Sequence, residues 1–450
     1  MTYFVTGATG FIGKFLVRNL LKREGTVYVL VRKNSQKKLE ALYPWWGLDE
    51  KQKRIVPILG DLGKSRLGVA AADVTKLKGK VAHLFHLAAI YDLSADAASQ
   101  QTANIDGTRN AVEFAEAIKA GCFHHTSSIA AAGLYDGTFR EDMFDEAEEL
   151  DHPYFRTKHD SEGIVRDECK TPWRVYRPGM VVGHSQTGEI DKIDGPYYFF
   201  KLIQKMRNAL PSWVPTVGIE GGRINVIPVD YVVDAMDYIA HKRGLDGACF
   251  HLTDPEPMRI GEILNMFAKA AHAPQMTMRL NSKMFSFIPS YVLQGIMSVA
   301  PVRRARNQIL NDLGIPKDVF TFINYPTKFD NRDTVKALKG SGILVPRLET
   351  YAWRLWDYWN VTSTRICSSI VRWKARSKAK SSSSPAARRV SVKQPRSSWP
   401  RPAPRLPSSR ATRKRRNSRW RKSRNPAAPP SFIPAISPIS PVATSWWQAC

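Results

Sequence analysis

Tyr154 and Lys158 stand four residues apart, and a serine pair, Ser127-Ser128, precedes them in the chain. These are the residue types needed to finish a carbonyl reduction. Hydride arriving at a carbonyl carbon leaves an oxyanion that must be protonated or stabilised. A phenol can supply the proton, but it ordinarily titrates near ~10, so a cation must stand close by to make that proton labile. On a helix, positions i and i+4 share a face, and Lys158 meets the requirement for Tyr154. Ser128 is placed to hydrogen-bond the same substrate oxygen, with Ser127 as its substitute. Catalytic candidates are therefore Ser128, Tyr154 and Lys158. Such Tyr/Lys pairs decorate many helices, so the assignment depends on a second site.

That second site opens the chain. Thr6-Gly7-Ala8-Thr9-Gly10-Phe11-Ile12-Gly13 follows the apolar Tyr3-Phe4-Val5 directly. One glycine permits a tight strand-to-helix turn, one lets the backbone approach a diphosphate, and one lets helix and strand pack closely. The diphosphate then meets a helix N-terminus. Phe15-Leu16-Val17, Leu20 and Leu21 recur at helical spacing, and Gly25 closes the segment before a second strand, Val27 to Val31. The spacing predicts a βαβ start. At the end of that second strand NAD-binding proteins of this architecture place an acid for the ribose 2′-hydroxyl. This chain has Arg32-Lys33 there. A guanidinium suits a 2′-phosphate through charge and paired hydrogen bonds, which favours NADPH over a merely solvated basic loop with Lys37 and Lys38.

Seven features recur in order: the glycine turn, Gly60-Asp61-Leu62, His86-Leu87-Ala88-Ala89, Asn104 to Thr108, Thr126-Ser127-Ser128, Tyr154 with Lys158, and Arg177-Pro178-Gly179. In these the chain resembles the extended short-chain dehydrogenase/reductase family over roughly residues 1–355. The resemblance implies that Thr6, Gly7, Thr9, Gly10, Phe11, Ile12 and Gly13 cradle the cofactor. It also implies that Asp61 contacts the adenine, that Leu62, Ala88 and Pro178 complete the contacts, and that Lys158 binds the nicotinamide ribose as well as serving catalysis. The expected architecture is α/β, a doubly wound parallel Rossmann sheet with a smaller C-terminal substrate lobe mainly within residues 180–355.

The second half speaks to the substrate. Asp194 to Phe200 is aromatic, and Met284 to Ile288 with Tyr291-Val292-Leu293 and Ile296-Met297 is apolar. Neither reaches the about 20 apolar residues that span a bilayer; either can line a greasy pocket or simply pack the core. Arg223 to Ala235 reads as a strand feeding a helix. More narrowly, His152 to Lys158, Asp194-Gly195-Pro196-Tyr197-Tyr198 and Tyr325 to Asp330 resemble the first domain of bacterial alcohol-forming fatty acyl-CoA reductases, which carry two reductase domains in tandem. That resemblance implies a fatty aldehyde or fatty acyl-CoA as partner and NADPH as hydride source. Peripheral contact with a membrane stays open. Other chemistry of the wider family, sugar-nucleotide epimerisation or dehydration or hydroxysteroid oxidation, is the nearer alternative.

Charge separates the tail. The chain holds 67 Lys plus Arg against 40 Asp plus Glu. No acid follows Asp357, yet 21 basic residues lie between Arg365 and Arg424; setting them aside leaves 46 basic residues against all 40 acids. A stretch rich in Pro, Ser, Arg and Ala cannot bury a core, and residues 360–450 are expected to be disordered. Arg413-Lys414-Arg415-Arg416 and Arg419-Trp420-Arg421-Lys422 suggest a nucleic-acid-binding arm, the alternative of another class. The genetic code offers a second reading. Shifted by one base, codons from Trp359 to Cys367 can spell E-R-N-L-D-P-D-L. Those from Arg372 to Arg405 can spell an apolar strand, T-G-G-x-x-G-I-G and an Ala/Leu helix. The expectation is that a one-base slip near Trp359-Asn360 replaced a second reductase domain with out-of-frame peptide, so no specific nucleic-acid partner is expected.

The five cysteines, Cys122, Cys169, Cys249, Cys367 and Cys450, show no Cys-x-x-Cys spacing. Their scatter, with no signal peptide ahead of the first strand, points to a reduced cytoplasmic chain. No metal site is visible, and His124 and His125, in an apolar strand expected over Phe123–Ser128, read as structural.

Overall fold

The computed structural model describes residues 1–48, 54–90, 97–191, 195–280 and 325–363. The apolar segment from Met284 to Met297, Asp194 and the tail from residue 364 lie outside the described residues, and with them the reading of that tail as disordered or out of frame. Every described residue falls in one compact unit, Met1–Arg365.

A seven-stranded parallel sheet organises this unit. Its strands are β1 (Thr2–Thr6), β2 (Thr26–Val31), β3 (Ile55–Leu59), β4 (His83–His86), β5 (Cys122–Thr126), β7 (Trp173–Pro178) and β12 (Ala248–Leu252), in the spatial order β12-β7-β5-β4-β1-β2-β3. The order reverses between β1 and β4, and in open α/β sheets ligands bind in the crevice at the carboxyl ends beside such a reversal. Four two-stranded pairs surround the sheet. They are β6 (Thr138–Phe139) with β15 (Lys328–Phe329), β8 (Met180–Val182) with β11 (Val226–Pro228), β9 (Thr216–Ile219) with β14 (Met276–Leu280), and β10 (Arg223–Ile224) with β13 (Met258–Arg259).

The helices are α1 (Phe11–Leu20), α2 (Gln36–Glu40), α3 (Ala71–Leu77), α4 (Ala97–Gln100), α5 (Gly107–Ala117), α6 (Pro153–Glu168), α7 (Phe200–Ala209), α8 (Val229–His241), α9 (Ile260–Ala270) and α10 (Arg332–Leu338). A further helix covers 352–363, the last of the described residues. The strands are apolar on both faces because helices cover both. In β1, Tyr3 and Val5 enter the core beneath α1 and α8, whereas Phe4 enters the opposite core with Phe114 and Phe123. Burying one such side chain is worth about 1.5–3 kcal/mol. Asn19 Nδ2 donates to Asp234 Oδ1 at 2.6 Å, which joins α1 to α8, and the latter follows β11 as the Arg223–Ala235 pattern predicts.

Two boundaries differ from expectation. The strand expected over Phe123–Ser128 is Cys122–Thr126, because Ser128 already caps the next turn, accepting the Ala130 N–H at 3.2 Å. Ordered chain also continues past residue 360, where disorder was expected. Trp356 and Trp359 pack on Phe200 at ring separations of 5.2 and 5.4 Å, Gln204 Nε2 donates to Asn360 Oδ1 at 3.2 Å, and Ser363 is buried. Those contacts carry that helix to residue 363.

Candidate active site

The glycine turn is built as a cradle. Gly7 has φ +72°, a conformation that L side chains rarely adopt, and a Cβ there would come within 2.7 Å of the Ala88 nitrogen. A Cβ on Gly13 would lie 2.1 Å from the Gly7 carbonyl oxygen, so only glycine lets α1 pack this close to the turn. Gly10 is the N-cap and offers no capping side chain; no acid occupies the first turn of α1. The first N–H groups of a helix lack intrahelical partners, and with the helix dipole they suit an anion. This backbone fits a dinucleotide diphosphate, and Thr9, Phe11 and Ile12 are half-buried around it.

Thr6 stands behind the turn. Its hydroxyl pairs with His86 Nδ1 at 2.9 Å and accepts the Ala88 N–H at 3.3 Å, which ties the ends of β1 and β4 together. His86 Nε2 reaches Thr108 Oγ1 at 3.2 Å, and burial pushes this imidazole down to about 3, with Lys158 adding to the effect. It is a neutral strut. Arg32, at the end of β2, is exposed and makes no ion pair among the described residues. Asp61 Oδ1 accepts the Gly63 N–H at 3.0 Å in a turn after β3, and the Leu62 carbonyl accepts from Asn110 at 2.7 Å. Pro178 is buried at the end of β7.

Across the reversal point lie the catalytic candidates. Helix α6 starts with Pro153 at its first turn and His152 as N-cap, whose Nδ1 accepts the Tyr154 N–H at 3.2 Å. Tyr154 is half-buried. One turn later Lys158 is buried, and its Nζ donates to the Thr126 carbonyl oxygen at 3.3 Å. Burial lowers its pKa to about 8, against an opposing pull from Glu162. Burial pushes Glu162 upward in turn, but Arg177, then Arg166, overcomes that and holds the carboxyl at about 2. Arg177 donates to it at 2.6 and 2.9 Å.

Ser128 and Ser127 part company at the end of β5. Ser128 is the hydroxyl that opens the turn after the strand. Ser127 Oγ is buried close to Glu162, with no group at hydrogen-bond geometry to it. Both His124 and His125 are fully enclosed, as the structural reading of them predicts.

Three positioning contacts were not legible as such. Asn104, inside a π-helical turn Gln101–Asp106, accepts the Ile90 N–H at 2.7 Å, donates to the Ile90 carbonyl at 2.9 Å and reaches Thr157 Oγ1 at 3.2 Å. It therefore locks the loop after β4 to α6; single-turn π bulges recur at functional sites. Tyr325 donates to the Gly133 carbonyl at 2.6 Å and packs 6.3 Å from Phe155, bringing the late segment onto α6. Lys14, next to Gly13, is buried between Glu189 and Asp191 at 2.6 Å each, which ties α1 to the chain entering the C-terminal lobe. A cavity of about 340 Å³ on the outer flank of α6, lined by Ile105, Leu150, Arg156 and Asp160, includes neither Tyr154 nor Lys158. Among the described residues no cluster of His, Cys, Asp or Glu is arranged for a metal, and no helix is long and apolar enough to cross a membrane.

The family model of the male sterility protein, an NAD-binding domain, matches residues 5–236. The chain belongs to this family. With it go NAD(P) binding and the extended short-chain dehydrogenase/reductase class of oxidoreductases. A Drosophila melanogaster protein named "Putative fatty acyl-CoA reductase CG8306" is 27% identical over 401 residues, covering 72% of this chain and 77% of that protein. Aldehyde reductase lnbA of Aspergillus flavus is 29% identical over 272 residues, covering 56% of this chain and 26% of that protein. The chain spans only 26% of three of the first curated relatives it matches and 5% of a fourth. Among solved structures, the terminal R domain of the myxalamid PKS-NRPS pathway shares the fold, with a TM-score of 0.62 at 24% identity over 79% of this chain and 90% of that one.

Proposed function

We propose that the chain reduces the carbonyl of a fatty aldehyde, or of a fatty acyl thioester such as an acyl-CoA, toward the alcohol, with NADPH as reductant. The observation that carries this reading is the buried Lys158 one turn from Tyr154, held by the end of β5 on the same sheet edge as the glycine cradle. When bound, NADPH supplies the hydride.

The chain's own groups do the rest. Backbone N–H groups at the start of α1 hold the diphosphate, Asp61 meets the adenine, and Leu62, Ala88 and Pro178 line the path between the two ends. Arg32 binds the 2′-phosphate. Tyr154 gives its phenolic proton to the carbonyl oxygen as negative charge grows there, and Ser128 donates a hydrogen bond to the same atom. Lys158 keeps the resulting phenolate stable and returns it to neutrality through solvent; its lowered pKa makes that exchange accessible near neutral pH. General acid catalysis of this kind contributes about 10² to 10⁴ in rate. The similarity to the Drosophila melanogaster protein supports a fatty substrate, and that to aldehyde reductase lnbA supports a carbonyl one.

Product analysis tests the reading. Incubated with NADPH, a long-chain aldehyde should yield the alcohol and long-chain acyl-CoA should be tried beside it. Turnover of neither, with turnover of a nucleotide sugar instead, would sink the proposal.

A further inference from the structure

Among the described residues, four large apolar side chains stand exposed in one stretch of the C-terminal lobe: Leu210, Trp213, Val217 and Met278. Trp213 is 80% exposed, which is far more than core packing leaves to an indole. Local chain geometry puts it there. Helix α7 ends at Ala209, Pro211 and Pro215 bracket the loop, and the Val214 N–H donates to the Pro211 carbonyl at 3.1 Å, closing a turn around Trp213. Beyond the loop, Val217 of β9 is the register partner of Met278 in β14, so the two share one face of that pair, and both are exposed.

This patch is not core that failed to close. The same helix sends Phe200 and Ile203 inward, with Phe200 on Phe267 at 4.7 Å and on Trp356 at 5.2 Å. One element thus has a packed side and leads into an outward apolar loop. From Gly195 to Ile219 the sequence carries Lys201, Lys205 and Arg207 and no acid. The nearest acid along the chain, Glu220 just after β9, is taken up by ion pairs with Arg259 and Arg279 at 3.3 and 3.1 Å. Indoles settle at the headgroup level of bilayers, basic side chains are drawn to anionic leaflets, and an apolar face beside cations is the composition of elements that lie in the interface.

We propose that this corner of the lobe seats on an anionic lipid surface, with Leu210 and Trp213 entering the acyl boundary and Lys205 and Arg207 at the headgroups. The surface goes beyond the reading of the reaction and stands whether or not the substrate is fatty.

Fluorescence quenching tests it with the full chain and no substrate. Vesicles of equal parts phosphatidylcholine and phosphatidylglycerol are prepared with brominated acyl chains, and the emission of the full chain is compared with that of Trp213→Phe. The part of the emission that Trp213→Phe lacks should fall by at least half on the brominated vesicles. In about 0.5 M salt, where screening shortens charge attraction to roughly 5 Å or less and silences the basic tail, the double variant Trp213→Ser with Met278→Ser should partition at least fivefold less. Emission from Trp213 that is untouched while the chain is vesicle-bound would overturn the proposal. So would failure of the full chain to bind these vesicles, or lipid-free self-association that Trp213→Ser abolishes, which would make the patch a contact between copies.

Discussion

The Lys158 ammonium donates to the Thr126 carbonyl oxygen across 3.3 Å, fastening α6 to the last residue of β5. This contact sets how far the cation can stray from Tyr154, and burial around it draws its pKa to about 8.

Replacing Tyr154 by Phe should therefore lower aldehyde turnover by a factor of hundreds, in line with a general acid worth about 10² to 10⁴, with NADPH binding little changed. Lys158→Ala should damage both. Steady-state kinetics beside calorimetric titration of NADPH separates the two effects. A Tyr154→Phe enzyme retaining most of its rate removes the phenol from the proposed role.

Arg32 is exposed and without an ion pair among the described residues, so its charge is available to a ligand. Charge-assisted hydrogen bonds contribute about 1.5–3 kcal/mol, roughly one to two decades in affinity. NADPH should bind that much tighter than NADH, and Arg32→Asp should reverse the order. Equal affinities in the unmodified chain would end the assignment.

Gly13→Ala places a methyl 2.1 Å from the Gly7 carbonyl oxygen. Backbone must shift to admit it, and the cradle shifts with it. We expect at least a tenfold loss of NADPH affinity, about 1.4 kcal/mol, and a lower melting temperature. Calorimetry and thermal unfolding check both.

Acid should unfold the chain through its buried histidines. Desolvation, foremost, lowers His83 to about 4, His86 to about 3 and His251 to about 3, all below the ordinary value. A depressed folded pKa means that the unfolded state binds more protons, so the stability is whole above about 6.5 and is lost as pH falls through the folded values. For His83 alone the linkage is on the order of 3 kcal/mol at 1.36 kcal/mol per unit. Urea midpoints should drop steeply from pH 6.5 to 4, and a flat profile there would contradict the neutral assignment.

Ending the chain after Ser363 should leave melting temperature and aldehyde turnover unchanged under the frame-slip reading, because out-of-frame peptide carries no matched core. Cutting after Trp359 removes Asn360 and Ser363 and should lower the melting temperature by a few degrees. Under the frame-slip proposal, thioester reduction is weak in either form, and the encoding DNA, read one base off after Trp359, spells a second glycine fingerprint. Loss of aldehyde turnover on removing the tail would make it an evolved element.

Local chemistry was open to reading. The glycine turn, the Tyr154/Lys158 spacing and the strand and helix periods of residues 1–31 need only neighbours in the chain, because a φ above zero, an i+4 pair and a period of two are properties of short segments. Even there the end of β5 fell two residues early, since a capping hydroxyl at Ser128 competes with strand extension and nothing local says which wins.

The rest belongs to contacts between distant segments. Glu162 was a surface-type residue by its identity, and Arg177 arriving from β7, with Arg166 one turn along α6, makes its burial tolerable. Tyr325 meets Gly133 across nearly two hundred residues, and Asn104 grips both Ile90 and Thr157. Ser127 is buried close to Glu162 whereas Ser128 caps the turn after β5, a difference that packing and not spacing sets. Spacing told that a cation would accompany Tyr154; desolvation, a property of everything packed around Lys158, decided how readily that cation gives up its proton.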